Sequence, residues 1–337
     1  MAIRQTGFTR ASALGPIARI VEEGGGSISR VFQDVDLPFA LLENPDVPVP
    51  LKEQFRVLQR AAREVGDAHF GAQLGRHVRI KNLSAFGLWV SRAHDLYDAI
   101  ERSRRGLNIF LQTATVLELR ETDTGARWSI EFLDPASEGR YQNELLGLGY
   151  LIDVVRCFAG RAWRPRLIRT TTSDRAATGY LEQLYGANVS TGQRVSAIDF
   201  DRGLLWAPNM LHGTNALPLP QELGSEPVVP ASSDDPEAVA AVTMLALLER
   251  QPRAAWVADK LGMTKRSMQR RLCEEGVTFS QLVDDVLKTR AQELVSESTK
   301  PITEIGLELG YADTAHFSRA FKRWTGMSPR AFRKMRT

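Results

Sequence analysis

LGMTKRSMQRRL, residues 261–272, and LGYADTAHFSRAF, residues 309–321, are two versions of one pattern. Leu-Gly recurs 48 positions on; with one inserted residue, Met268 aligns with Phe317, Arg270 with Arg319 and Leu272 with Phe321. The match continues through EEGVTFSQL and WTGMSPRAF, which pair Gly276 with Gly326 and Thr278 with Ser328. Each copy reads as a short helix (254–260, then 303–308), a Leu-Gly ending, a tight turn and a second helix of about ten residues. Gly262 and Gly310 sit where the chain leaves a helix and needs the left-handed conformation that glycine adopts most cheaply. One amphipathic helix pair has been used twice.

Helix pairs of this shape present their second helix outward, and in DNA-binding versions that helix enters the major groove. Over 264–273 the spacing turns Met268 and Leu272 inward and Arg266, Gln269 and Arg270 outward. Arginine can read guanine with two hydrogen bonds and glutamine can read adenine, so the outward set has base-reading chemistry. Over 313–324, Phe317 and Phe321 are the anchors, leaving Thr314, His316 and Arg319 outward. An ordinary amphipathic helix with a solvated face gives the same pattern; the duplication tips the balance toward DNA. Residues 278–297 join the copies as a continuous helical pattern, roughly 30 Å long at about 1.5 Å per residue. Successive turns of a major groove lie roughly 34 Å apart. Such a connector can place two reading heads in adjacent grooves on one face of a duplex.

Outward from this core, the chain of 337 residues is 43% apolar and 25% charged, as expected of a folded protein of roughly two domains. Its longest apolar runs, 145–152 and 238–248, are too short to cross a bilayer, so no membrane partner is expected. The opening MAIRQTGFTR lacks an apolar signal region. Two cysteines, Cys157 and Cys273, make neither a disulfide framework nor a zinc pattern. The expected compartment is a reducing cytoplasm. Charge is uneven: residues 251–337 hold 16 Lys/Arg against 10 Asp/Glu, while the whole chain is only +3. A basic module attached to a mildly acidic one fits a polyanion-binding domain fused to something else, although a solvated basic face gives the same count.

Residues 217–236, LPLPQELGSEPVVPASSDDP, carry five prolines and read as a semi-extended linker. They separate a unit of 1–216 from one of 237–337. The fold class expected is α+β, a mixed α/β N-terminal unit followed by an all-α C-terminal one with two helix-turn-helix units joined by a long helix. In the first unit Leu51, Phe55, Leu58, Ala62 and Val65 share a helix face after the punctuation of Pro48 and Pro50. Trp128, Ile130 and Phe132 alternate with Arg127, Ser129 and Glu131, the mark of a half-buried strand over 126–132. Residues 115–120 are its expected partner, turned by ETDTG. Leu145, Leu148, Ile152, Val155 and Ala159 form a second helical stripe ended by Gly160. Residues 166–172 read as a strand and 174–185 as a helix capped by Asp174 and stopped by Gly186. Residues 195–200 and 204–206 read as a hairpin around Asp201-Arg202-Gly203.

PITEIGLELGYADTAHFSRAFKRWTGMSPRAFRK, with the preceding LLERQPRAAWVADKLGMTKRSMQRRLCEEGVTFSQLV, resembles the DNA-binding domain of AraC/XylS-type bacterial transcription regulators. The resemblance covers 239–334. It implies that Arg266, Gln269 and Arg270 read bases in the first recognition helix and Thr314, His316 and Arg319 in the second. It also implies double-stranded promoter DNA as partner, contact with RNA polymerase, a homodimer and a role as activator or repressor. GDAHFGAQLG, SAFGLWVSRAHDLYDAIERSRR and IDFDRGLLWAPNMLHGTNALPLP resemble the arabinose-binding-type sensing domain of such regulators over most of 10–220. That implies a small-molecule effector, without naming it or its pocket.

Other constellations give little. The histidines His69, His77, His94, His212 and His316 lack metal spacing, so no metal and no cofactor are expected. Gly24-Gly25-Gly26-Ser27 lacks the Lys of a phosphate loop and reads as a helix-to-loop break. There is no GxSxG elbow, and neither cysteine neighbours a histidine, so no catalytic residue is expected. Two features bear on an effector. Arg156, Arg161, Arg164, Arg166 and Arg169 could grip an anion or be a solvated face. Trp89, Trp128 and Trp206 could line an apolar pocket or be core.

Overall fold

A computed structural model describes residues 6–122, 125–209, 229–249 and 252–336. Contacts divide them into two units. One holds the chain up to Asp36 and Leu42–Ser233, the other Leu37–Leu41 and the chain from Asp234 onward. The fold is α+β: mixed helix and strand in the first unit, all helical in the second.

In the first unit β1 (Phe8–Arg10) pairs antiparallel with β2 (Pro48–Pro50). The expected proline punctuation is thus a short two-stranded edge, where a missing N–H is tolerated. The helices are α1 (Ile17–Glu23), α2 (Ile28–Asp34), α3 (Leu51–Val65), α4 (Phe70–His77), α5 (Ser84–Ser91), α6 (Leu96–Gly106), α7 (Arg140–Ala159) and α8 (Ala177–Tyr185). The strands β3 (Thr115–Thr122), β4 (Gly125–Phe132), β5 (Leu167–Arg169), β6 (Asn188–Ser190) and β7 (Ser196–Phe200) form one sheet in the order β3-β4-β7-β5-β6. All neighbours are antiparallel except β5 and β6. β4 alternates as its sequence says, with Trp128, Ile130 and Phe132 buried. On its other face Ser129 is buried as well, its hydroxyl donating to Glu118 O at 3.3 Å on β3.

Helix α7 runs the length of the core and packs on β4, β7, α3 and α4. Its approach to α4 depends on glycine: a Cβ at Gly149 would run into the backbone of Gly75, and one at Gly71 into that of Gln142. Gly160 ends α7 and Gly186 ends α8, as their positions imply. Three details differ from expectation. The strand read over 166–172 is paired only over Leu167–Arg169. Residues 202–206 form a single 3₁₀ turn, because Asp201 Oδ1 accepts from the Gly203 N–H and winds the chain instead of reversing it. Helix α8 starts at Ala177; Asp174 caps a turn ahead of it, accepting from Ala176 N–H at 2.8 Å. Of the ETDTG turn, Asp123 and Thr124 lie outside the described residues.

The second unit contains α9 (Pro236–Leu247), α10 (Ala254–Lys260), α11 (Lys265–Glu274), α12 (Phe279–Glu297), α13 (Ile302–Glu308), α14 (Thr314–Thr325) and α15 (Pro329–Arg336). The expected linker, 217–236, falls mostly outside the described residues. Its described residues divide: 229–233 belong to the first unit, where Val229 donates to Ile109 O and Pro230 O accepts from Thr113 Oγ1, and 234–236 to the second.

Candidate nucleic-acid interface

The sequence repeat is a repeat of hydrogen bonds. Leaving α10, Leu261, Gly262 and Met263 donate to the carbonyls of Val257, Asp259 and Ala258; leaving α13, Leu309, Gly310 and Tyr311 donate to Ile305, Leu307 and Gly306. Each pair of counterparts is 48 residues apart and agrees within about 0.1 Å. Gly262 and Gly310 have φ of 71° and 80°, a conformation in which a side chain is strained. Polar caps then open the second helices. Thr264 Oγ1 accepts from Ser267 N–H at 3.1 Å, and Asp313 Oδ1 from His316 N–H at 2.7 Å. That backbone bond, ahead of smaller effects of the His316 and Arg319 charges, lowers the Asp313 pKa. The third helices open alike, Thr278 reciprocating with Gln281 and Ser328 Oγ accepting from Ala331 N–H.

Below these turns lies core. Met268 and Phe317 are completely buried, with Leu272 and Phe321 beside them one turn on. The second copy is more aromatic, Phe317 meeting Phe321 and Tyr311 at ring separations of 5.8 and 5.5 Å. Its larger anchor fits because Gly306 stands where the first copy has Ala258; a Cβ there would come within 3.2 Å of Phe317. Helix α12 is unbroken over 19 residues, about 28 Å. Its Val286, Leu287, Ala291, Leu294 and Val295 share one cluster with Phe317, Phe321 and Leu247.

Opposite the anchors stand the residues picked out by spacing. Arg266, Gln269 and Arg270 are exposed on α11. Arg270 Nε lies 3.7 Å from Glu274 Oε1, a surface pair worth little. On α14 His316 and Arg319 are exposed, while Thr314 is half-buried. His316 Nδ1 lies 3.5 Å from Asp313 Oδ2. The exposed Lys265, Lys322, Arg323, Arg330 and Lys334 add cations that position alone did not single out; clustering of Lys and Arg was the available signal.

The first unit holds a different feature. A cavity of about 580 Å³, mouth included, lies among β3, β4, α7 and the segments around Ile80 and Leu107. Trp128, Ile130 and Phe132 of β4 line it, so one of the three tryptophans suggested for a pocket is there. Trp89 is packed partly buried at the core's edge under Arg102, and Trp206 is 64% exposed against Tyr97. Gln54 and Asn143 also line it, Gln54 Nε2 donating to Asn143 Oδ1 at 2.7 Å. Sequence reading passed over both, though Gln54 lies three residues from Leu51 and four from Leu58, on the apolar stripe of α3.

The five arginines do not converge as a set, although Arg156 and Arg164 line one pocket with Arg76. Arg161 pairs with Asp153 at 2.6 Å and Arg169 with Asp199 at 2.9 Å, while Arg156 Nε donates to Trp163 O. Burial pushes the Cys157 thiol up to about 11, the wrong direction for a nucleophile. Cys273 is exposed on α11. His212 lies outside the described residues, among which no group of His, Cys, Asp and Glu is set to hold a metal. Among them, too, no helix is long and apolar enough to cross a membrane.

Residues 25–209 match the family model described as the arabinose-binding domain of AraC transcription regulator, N-term, and residues 257–335 match a helix-turn-helix domain model. The chain belongs to the AraC family of transcription regulators. VirS, an HTH-type transcriptional regulator of Mycobacterium tuberculosis H37Rv, is 22% identical to this AraC-family chain over 325 residues, 96% of each protein. VqsM, an HTH-type transcriptional regulator of Pseudomonas aeruginosa, is 42% identical over 85 residues, 25% of this chain and 26% of its own length. Among solved structures, the transcriptional regulator CdpR of Pseudomonas aeruginosa matches with 22% identity and a TM-score of 0.36, covering 78% of this chain and 86% of CdpR. The helix-turn-helix match spans both copies and all six outward residues of the AraC-family chain; the N-terminal match includes every cavity residue except Ala13.

Proposed function

We propose that this AraC-family regulator binds a specific promoter sequence through both helix-turn-helix units, and that a small molecule held by the N-terminal unit alters that binding. In this reading 1–216 senses, 217–236 links and 237–337 binds DNA. Arg266, Gln269 and Arg270 read bases in one major groove; Thr314, His316 and Arg319 read the next. The observation that carries the reading is a pair of hydrogen-bond-matched turns, each presenting base-reading side chains to solvent over a buried anchor. The rod α12, about 28 Å long, suits adjacent grooves roughly 34 Å apart. Net positive charge in 251–337 supplies sequence-independent attraction to phosphates.

An effector acts by binding better to one arrangement of the chain than to another, shifting populations. The family resemblance supports a homodimer, contact with RNA polymerase, a role as activator or repressor and a cytoplasmic site of action.

The test needs no knowledge of the target genes. A duplex is selected from a random pool by the full-length protein, and binding of the wild type and Arg270→Ala is titrated on it and on a scrambled duplex. Arg270→Ala is expected to cost about 1–3 kcal/mol on the selected duplex and much less on the scrambled one. Equal affinity of both proteins for the selected duplex would remove α11 from the interface.

A further inference from the structure

The cavity of the first unit carries no charge. Its lining includes no Asp, Glu, Lys, Arg or His, and burial keeps its one phenol, Tyr150, protonated while its hydroxyl donates to Ala13 O. Most of the wall is aliphatic or aromatic. Five buried side-chain atoms lack a hydrogen-bond partner among the described residues; two of them belong to this wall, Trp128 Nε1 and Gln54 Oε1. The two side chains are 1% and 3% exposed. Buried donors and acceptors left unpaired are costly and rare, and these two are complementary: an indole N–H that can only donate and an amide oxygen that can only accept.

From this we infer that the effector is a neutral, mostly apolar molecule bearing a hydroxyl, which accepts from Trp128 Nε1–H and donates to Gln54 Oε1. The inference rests on the effector-sensing reading above and names its chemistry. A hydroxyl is a small neutral group that can both accept from an indole N–H and donate to an amide oxygen. A carboxylate, phosphate or ammonium would give up its hydration for a wall with no opposite charge. A sugar would bring a hydroxyl on almost every carbon, and the other polar groups here are largely engaged: Ser103 Oγ with Ala99 O, Gln112 Nε2 with Thr115 Oγ1, Tyr150 Oη with Ala13 O. Thus the sensing domain keeps the family's architecture around a wall unsuited to arabinose.

The experiment uses the full-length protein without DNA, so its outcome is independent of promoter recognition. Four probes are compared by calorimetric titration and thermal unfolding: 2-naphthol, 2-methoxynaphthalene, 2-naphthoate and L-arabinose. 2-Naphthol is expected to bind and raise the melting temperature. The methyl ether, which cannot donate, should bind about three- to tenfold more weakly, and the carboxylate and the sugar should produce no shift. Trp128→Phe keeps a ring but loses the N–H, and Gln54→Leu loses the acceptor. Each should weaken 2-naphthol about three- to tenfold, and Gln54→Leu should erase its advantage over the ether. Leu146→Trp, which fills the cavity, should abolish binding. The inference is overturned if naphthoate or arabinose binds as tightly as naphthol, if Trp128→Phe leaves naphthol affinity unchanged, or if none of the probes binds the wild type. A regulator that then still bound its selected duplex would keep its assigned function and lose only this ligand class.

Discussion

The two candidate sites are built from opposite materials. On α11 and α14 the working groups are cations, an amide, a hydroxyl and an imidazole at helical spacing, five of the six exposed over buried anchors. In the first unit the working groups are one indole and one amide, enclosed by apolar side chains that come from positions as far apart as Ala13 and Val154. A surface of the first kind attracts a polyanion at long range and reads it by hydrogen bonds in water. A cavity of the second kind excludes charge and selects by shape and a single paired group.

Salt separates the two most strongly. If the basic face neutralises about six or more phosphates, DNA affinity should fall about a thousandfold or more between roughly 50 and 200 mM salt. Affinity for 2-naphthol should stay flat over the same titration. A DNA affinity that ignores salt would mean that the exposed cations are bystanders.

Next in size is the support beneath the DNA face. Phe317→Ala should destabilise the second unit by about 3–5 kcal/mol, read from the denaturant midpoint reported by Trp256 and Trp324. The same change should leave 2-naphthol binding intact. A loss under about 1 kcal/mol would show that α14 is not anchored as described.

The two reading faces should then differ from each other. Arg319→Ala should fall at the low end of the roughly 1–3 kcal/mol span of a base contact, below Arg270→Ala. The reason is that Thr314 beside it is half-buried and His316 is drawn toward Asp313. Equal losses on the selected duplex would make the two copies equal readers.

The smallest effect concerns the sheet behind the cavity. Trp128 faces the cavity, whereas its neighbour Arg127 joins Arg169 around Asp199. Burial pushes the Asp199 pKa up, but hydrogen bonds and charge from Arg127 and Arg169 outweigh it and leave it below its ordinary 3.8. The folded state therefore gains stability from this carboxylate above that value and loses it as pH falls through the lower folded one. Asp199→Asn should melt earlier than wild type at pH 7, the gap closing in strong acid, with 2-naphthol affinity unmoved at pH 7. A gap that persists unchanged at pH 2 would remove the ion-pair explanation.

The contrast also explains what could be read from sequence. Gly262, Met268, Arg270 and their counterparts lie within a few residues of one another, so a period of 3.6 and a repeat at 48 or 49 were enough to place them inward or outward. The strand alternation that buries Trp128, Ile130 and Phe132 was legible for the same reason. The cavity was not, because it exists only once β3, β4, α3 and α7 come together, and nothing local says that Gln54 and Asn143 will meet. Trp206 failed as a pocket residue because Asp201 winds its segment into a 3₁₀ turn instead of continuing a strand. The arginine run does not act as one group, because Arg161 and Arg169 are taken by Asp153 and Asp199 while Arg156 and Arg164 line a separate pocket.

The twin-reader account is tested most directly by footprinting the full-length protein on the selected duplex with a probe that cuts along the sugar backbone. Two protected patches on one face of the duplex, about 10 base pairs apart, are predicted, and Arg270→Ala should weaken one of them while sparing the other. A single patch, or two patches on opposite faces, would contradict the account.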